Sequence, residues 1–342
     1  MKMAWKEMKK NKARFLILGS IVFLISFLTF IISGLANGLS QDNAALIKDL
    51  PDGQFYLNED ADQNYTFSRI DRDTQADLLK NHPDAVAFSI QMGFLHDETE
   101  KQQSVAFVTA TDSKWFPKVN KGEVILDRSL EDEGMKIGDH LTNPQFSGHL
   151  TVKGFVDQKK FSHAPVAFIN KEDFQEMYRV DEMQLVFLPD ANLKFSGLES
   201  FSNSEFLNTI PSYKAEQMSL NMIVWFLVVI SGLLFAIFFY MMNVQKLGLY
   251  GILKAIGMKT SSLFNMMWTQ MVVITAIALT LATALSQIFN VLAPNGMPFH
   301  LPLDTTFFLS LVFLLIGFIG ATVSGIQIKK VQPLQAIQQG EM

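Results

Sequence analysis

The sequence predicts an α-helical membrane protein with four transmembrane helices and a mixed α/β extracytoplasmic domain between the first and second helices. Three observations predict it. Four stretches of the 342-residue chain, about 15–39, 219–243, 262–290 and 305–328, are apolar over the roughly 20 residues needed to cross a bilayer. Residues 40–218 between the first two alternate short Val-, Phe- and Ile-rich runs with polar helical stretches. Lysine and arginine gather in the short segments that belong to one side of such a layout.

The first span follows MKMAWKEMKKNKAR, which carries six Lys/Arg and one Glu. Its apolar run is longer than the 7–15 residues of a signal-peptide core, so it reads as a retained helix. Lys246, Lys254 and Lys259 lie in the loop 244–261, and Lys329 and Lys330 open the tail after the fourth span. Loop 291–304 has no Lys or Arg. Positive charge stays on the cytoplasmic side. Both termini and loop 244–261 are therefore expected inside the plasma membrane, and 40–218 outside. The expected division is 1–39 as basic N-terminus and first span, 40–218 as outer domain, and 219–342 as three spans with a coupling segment and a short tail.

The outer region holds 17 basic and 30 acidic residues, net −13. Strands are expected at 53–58, 85–90, 104–110, 123–127, 149–156, 165–169 and 184–188. Helices are expected at 71–81 and 170–180, both with acidic first turns, and Asn170 is the expected N-cap of the second. A further helix near 203–217 is expected to run into the second span.

Several chemistries are excluded. The chain has no Cys, which removes disulfides, thiol catalysis and thiolate metal sites. His82, His96, His140, His149 and His163 lack the short spacing of metal-binding pairs, and no metal site is expected. The acidic run Glu131–Glu133 reads as a solvated face before Gly134. There is no phosphate loop, nucleophile elbow or dinucleotide fingerprint, so no catalytic residue is assigned. The spans carry no central ionisable residue of the kind a self-powered proton or ion transporter needs. Any work must come from outside the chain.

KLGLYGILKAIGMKT (246–260) reads as a short amphipathic helix. Leu249, Ile252, Leu253 and Ile256 recur at three- and four-residue spacing, Lys246 and Lys254 flank them, and Gly257 is a helix stop. Two readings fit: a helix lying on anionic lipid, or a knob that fits a socket on a cytoplasmic partner.

GLYGILKAIGMKTSSLF resembles the cytoplasmic coupling segment of the MacB/FtsX-type ABC transporter permeases. Gly251, Lys254, Ala255, Ile256 and Gly257 fall in the order of that family's run. The family often carries an Arg-Glu pair just before it, and here Gln245 and Lys246 stand instead. IKKVQPLQAIQ (328–338) is similar to the family's C-terminal ending through Pro333, Ala336 and Ile337. GEVILDRSLEDEGMKIGDHL and HLTVKGFVD (within 122–157) resemble a strand–helix–strand unit of its extracytoplasmic domain. SGLANGLSQDN (33–43) and KFSHAPVAFIN (160–170) look like the haem-exporter permeases of Gram-positive bacteria.

The resemblance implies a homodimer paired with two copies of an ABC-type ATPase subunit. ATP and Mg would be bound by that subunit, and the chain itself would hold no permanent cofactor. It implies coupling through Leu249, Gly251, Ile252, Leu253, Lys254, Ala255, Ile256, Gly257, Lys330 and Pro333. The expected cargo is haem or a similar amphiphile. Its candidate contacts lie at the outer ends of the first two spans: Met218, Met222, Trp225 and Phe226, with Asn37, Gln41 and Phe30. Methionine can ligate haem iron, but it also fills apolar gaps. Small residues at four-residue spacing, Gly34 and Gly38 on the first span and Gly317, Ala321 and Gly325 on the fourth, are candidate helix-packing positions. Membrane lipid is an expected partner and nucleic acid is not. Two alternatives stay open: transmission of ATPase motion to an extracellular partner without transport, as in FtsX-like relatives, and export of an antimicrobial peptide or drug.

Overall fold

The computed structural model describes residues 2–189, 193–294 and 297–330, and of Lys2, Met3, Gln327, Ile328 and Lys330 the backbone alone. The chain divides into a helical unit, residues 1–38 and 219–342, and a sheet unit, residues 39–218.

Among the described residues, six helices belong wholly or mainly to the helical unit. α1 (Lys2–Lys10) is a short basic helix, and α2 (Lys12–Lys48) begins two residues later. After the sheet unit come α7 (Pro211–Val244), α8 (Leu247–Ala255), α9 (Thr260–Leu292) and α10 (Leu303–Lys330). α2, α7, α9 and α10 are long and apolar enough to cross a membrane. Their common core contains Phe30, Phe235, Phe239, Met267, Met271, Ile274 and Phe313. Two buried hydroxyls of α2 are satisfied within their own helix. Ser26 donates to the Val22 carbonyl at 2.7 Å and Thr29 to that of Ile25 at 2.8 Å. A polar group left unpaired in lipid costs several kcal/mol, about as much as burying an amide dry.

The sheet unit contains β1 (Gly53–Asn58), α3 (Arg72–Asn81), β2 (Val86–His96), β3 (Gln102–Ala110), β4 (Glu123–Asp127) and α4 (Ser129–Asp132). It continues through β5 (His140–Leu141), β6 (Leu150–Val156), β7 (Lys160–Phe161), β8 (Ala164–Ile169), α5 (Lys171–Tyr178), β9 (Leu185–Pro189), β10 (Leu198–Ser202) and α6 (Asn203–Thr209). The strands form one mixed sheet in the order β10-β1-β9-β2-β3-β8-β4-β6-β5, and β7 pairs with β8. β3–β8 and β4–β6 are parallel; the other pairs are antiparallel. Val86 to Ile90 are all buried, because helices and loops cover both faces there. On one face Phe206 of α6 stacks on Phe55 of β1 at 4.5 Å. Elsewhere Phe174 and Met177 of α5 join a second core with Phe107, Val124 and Val152.

Local chemistry sets the helix ends. Asp71 caps α3 by accepting the Thr74 N–H at 2.9 Å, and Asn170 caps α5 by accepting that of Glu172 at 2.9 Å. Ser202 and Glu205 form a reciprocal capping box on α6. The single helix expected across 203–217 is in fact two. Ile210 is extended because the following Pro211 disfavours helical geometry at the residue before it, and Pro211 then opens α7. β2 runs on to His96, beyond its expected end, and β5, β7, β10 and α1 are elements the sequence reading lacked.

Candidate coupling segment and substrate face

α7 ends at Val244, a two-residue turn follows, and α8 begins at Leu247. α8 stops in a Schellman motif. Gly257 takes φ +93°, its N–H donates to the Lys254 carbonyl at 3.0 Å, and the Met258 N–H donates to that of Leu253 at 2.9 Å. A side chain at 257 would be strained by that left-handed backbone, although the space around it is open.

The helix has two unlike faces. Tyr250, Gly251 and Leu253 are buried in the helical unit. Leu249, Ile252 and Ile256 stand 45%, 52% and 74% exposed, with Ala255 and Gly257 also exposed. The four apolar residues that share a spacing thus divide: Leu253 packs inward while the other three remain bare. Lys254, beside them, donates to the Lys329 carbonyl of α10 at 3.4 Å. Lys330 is described in backbone only, and Pro333 with the rest of the tail lies outside the described residues.

Polar contacts anchor the inward face. The Tyr250 hydroxyl donates to Asn243 Oδ1 at 3.1 Å, and Asn243 Nδ2 donates to Ser324 Oγ of α10 at 3.1 Å. Burial pushes the Tyr250 hydroxyl pKa upward, with Glu7 adding to the effect. Lys246 turns inward too, instead of flanking the bare face. It makes an ion pair with Glu7 of α1. Burial, the larger influence, pushes its ammonium pKa down, while Glu7 pulls it back up. The sequence reading missed Tyr250, Asn243 and Glu7. The only available signal was one acid among six basic residues at the N-terminus.

The candidate cargo residues do not form one set. Met222, Trp225 and Phe226 are exposed on α7, and so is Met218 at the boundary of the sheet unit. Phe30 is a correction: it is 0% exposed, its ring set edge-on 6.4 Å from Phe313 of α10, so it is core and not an open wall. Asn37 is half-buried, and its Nδ2 finds no hydrogen-bond partner among the described residues. Gln41 donates to Asp49 at 3.3 Å within the sheet unit. Two apolar grooves went unforeseen. One of ≈ 580 Å³ lies between α2 and α9, lined by Phe15, Gly19, Phe23, Ile274 and Leu281 among others. A smaller one of ≈ 190 Å³ lies between α2 and α7, at Val22, Ile25, Leu234 and Phe238.

The small-residue positions meet partners within the chain. Gly34 faces the Phe299 ring and Gly38 the Pro298 backbone, both in the loop between α9 and α10. On α10, Gly317 meets Met271 and Phe235, Gly325 meets Phe264 and Met267, and Ala321 is fully buried.

In the sheet unit, His163 received no role from the sequence. It lies in the β7–β8 turn with its Nε2 3.2 Å from Glu216 Oε2, and Asn43 Nδ2 donates to the same carboxylate oxygen at 3.0 Å. Lys160 pairs with Asp42 at 2.9 Å, and Lys159 with Asp49 at 2.6 Å. The β7–β8 turn is thereby tied to both chain segments at the unit's ends. Among the described residues no group of three or more His, Asp and Glu could hold a metal ion.

Four apolar helices, a sheet unit inserted between the first and second, and a short two-faced helix between the second and third are the layout expected of a membrane permease. Residues 221–333 match the FtsX-like permease C-terminal family. The chain is 30% identical to the Staphylococcus haemolyticus protein named "Putative hemin transport system permease protein HrtB", over 98% of this chain and 99% of that one. It is 26% identical to the protein of the same name from Staphylococcus epidermidis strain ATCC 12228, with 100% of both chains covered. The chain belongs to this family of MacB/FtsX-type, HrtB-like ABC transporter permeases.

Proposed function

We propose that this chain is the permease subunit of a homodimeric ABC exporter. In this reading a separate ATPase subunit, present in two copies, binds ATP and Mg and drives extrusion of haem or a similar amphiphile from the plasma membrane. Both termini and α8 face the cytoplasm, and the sheet unit is extracellular.

The observation that carries this reading is the bare face of α8. Three large aliphatic side chains, Leu249, Ile252 and Ile256, point away from a helix whose other face is packed and hydrogen-bonded. A helix that only lay on lipid would gain little from so firm an anchor, whereas a helix that must transmit force needs one. Haem as cargo draws on the names of the relatives and on the exposed Met222, Trp225 and Phe226 of α7, which offer a flat apolar ligand aromatic and thioether contacts.

The test is reconstitution with the partner ATPase in liposomes loaded with haemin. ATP-dependent haemin efflux that stops with Ile252→Asp is the expected result. Stimulated ATP hydrolysis without efflux of haemin would overturn the cargo. If a deletion strain also grows in haemin as well as its parent, mechanical transmission becomes the better account.

A further inference from the structure

We infer that α1 is a working part of the coupling device, and that Glu7 and Lys246 are its positioning residues: their buried pair passes displacement of α8 into α1 and α9. The inference rests on the reading of α8 as the surface that an ATPase subunit moves.

Lys246 stands in the two-residue turn that joins α7 to α8, and its carbonyl accepts the Tyr250 N–H at 2.9 Å to open α8. Any movement of α8 against α7 must work at this residue. Its side chain is 7% exposed and that of Glu7 13%. One carboxylate serves two elements there. Oε1 takes the Lys246 ammonium, and Oε2 accepts the Gln270 Nε2–H of α9 at 2.8 Å. The same ammonium lies 5.5 Å from the Phe15 ring in the first turn of α2. Residues from α1 and α2 therefore meet the α7–α8 turn at one lysine, and α9 joins them through Glu7. α1 is built to offer this contact: Ala4, Glu7 and Met8 form its packed edge, while Trp5, Lys6, Lys9 and Lys10 are exposed.

Stability alone does not account for a charged pair here. Desolvating two ions costs about what their attraction returns, and an apolar pair of similar volume often does as well or better. What the ion pair adds is a single register. Sliding α8 past α1 would strand a buried ammonium and a buried carboxylate together, so the two helices must move as one.

The experiment uses the full chain with its ATPase subunit in lipid. The protein contains no cysteine, so spin labels at Lys6→Cys and Gly248→Cys, in labelled chains diluted with unlabelled ones and paired with a cysteine-free ATPase subunit, report the α1–α8 distance within one chain. Expected is one narrow distance, unchanged between the nucleotide-free and ATP-trapped states, that broadens when Lys246→Met is added. In the same complexes, Glu7→Lys and Lys246→Glu should each lower haemin moved per ATP hydrolysed by at least about fivefold, the lower end of measured allosteric couplings. The doubly swapped chain should recover it. An α1–α8 distance that changes with ATP in the otherwise native chain overturns the inference. So does a transport-to-hydrolysis ratio left unchanged by the single reversals, or a swap no better than either. If a reversal does not assemble, Lys246→Met is read in its place: a lowered ratio at an unchanged melting temperature supports the link, and an unchanged ratio refutes it. A complex that never moves haemin sinks the cargo reading alone, because the label distances still judge the link. Retained ATPase binding by Ile252→Asp would sink the docking reading and with it the coupling role of the link, whereas a failure of the label distances with that binding lost would sink the link alone.

Discussion

Gly38 of α2 lies so close to Pro298 that a β-carbon built on it would stand 2.2 Å from the Pro298 carbonyl oxygen. Four residues earlier, the Gly34 carbonyl accepts the His300 N–H at 3.0 Å. A glycine pair that in sequence suits helix association is here a seat for the loop that precedes α10. Replacing Gly38 with Ala should therefore destabilise the helical unit by roughly 1–3 kcal/mol, the usual cost of forcing atoms into a filled space. Gly34→Ala should cost less, since a Phe299 ring can rotate aside and a backbone cannot. Thermal melting of the detergent-solubilised protein, followed by tryptophan fluorescence, checks both; equal melting of Gly38→Ala and the parent would contradict the close approach.

The two faces of α8 predict two different failures. Ile252→Asp should leave the melting temperature nearly unchanged and abolish co-purification with the ATPase subunit. Leu253→Ala should do the reverse, lowering stability by about 2–5 kcal/mol, as truncations of buried leucine do, while the folded fraction still binds. A pull-down paired with a melting curve distinguishes them. Loss of binding only in Leu253→Ala would mean that the docking surface is on the other side.

Asp173 in α5 is wholly buried and accepts the Gly122 N–H at 2.6 Å through Oδ2. Burial, against the smaller opposing pull of that bond, pushes its carboxyl above the ordinary value of 3.8. Between 3.8 and the raised value the folded state holds more protons than the unfolded one, so this residue makes unfolding easier as pH rises through that window. Asn keeps an acceptor for Gly122 and cannot ionise. Asp173→Asn should therefore flatten that part of the pH–stability curve and raise the melting temperature at pH 7. A variant that melts lower at pH 7 would show that the carboxylate contributes more than its burial costs.

Exposed Trp225 and Met222 on α7 should matter to cargo more than to folding. Both side chains are more than half exposed, so truncating either to Ala should shift the melting temperature little. If haem rests on this face, haemin absorbance titrations should show weaker binding in Trp225→Ala, and Met222→Ala should also alter the Soret band through lost axial ligation. Unchanged titrations in both would move the search to the grooves beside α2.

Much of the architecture could be read before any coordinates. A run of about 20 apolar residues has few fates, and the four such runs appear as α2, α7, α9 and α10. Asn170 and the acidic first turn of α5 were legible because a cap is a contact within three residues. β10, written LESFS, carried too little hydrophobic pattern to be seen, and β5 and β7, at two residues each, are too short to have one. At the candidate site the helix around Leu249 was legible, but its inner face was not. Tyr250 and Lys246 acquire their partners through the packing of helices, and the Glu7–Gln270 bond spans 263 positions.

By itself, then, the sequence determined which segments are apolar enough to enter a membrane, where α3 and α5 start and stop to within two residues, and that a two-sided basic helix lies between the second and third long helices. Those properties depend on neighbours a few residues apart. The tertiary structure alone decided that Leu253 and Lys246 turn inward while Ile252 and Ile256 stay bare, that Phe30 is core, and that Gly38 seats a loop. The reason is physical: helical periodicity says which residues share a face, but which face loses its water depends on what the rest of the chain brings against it.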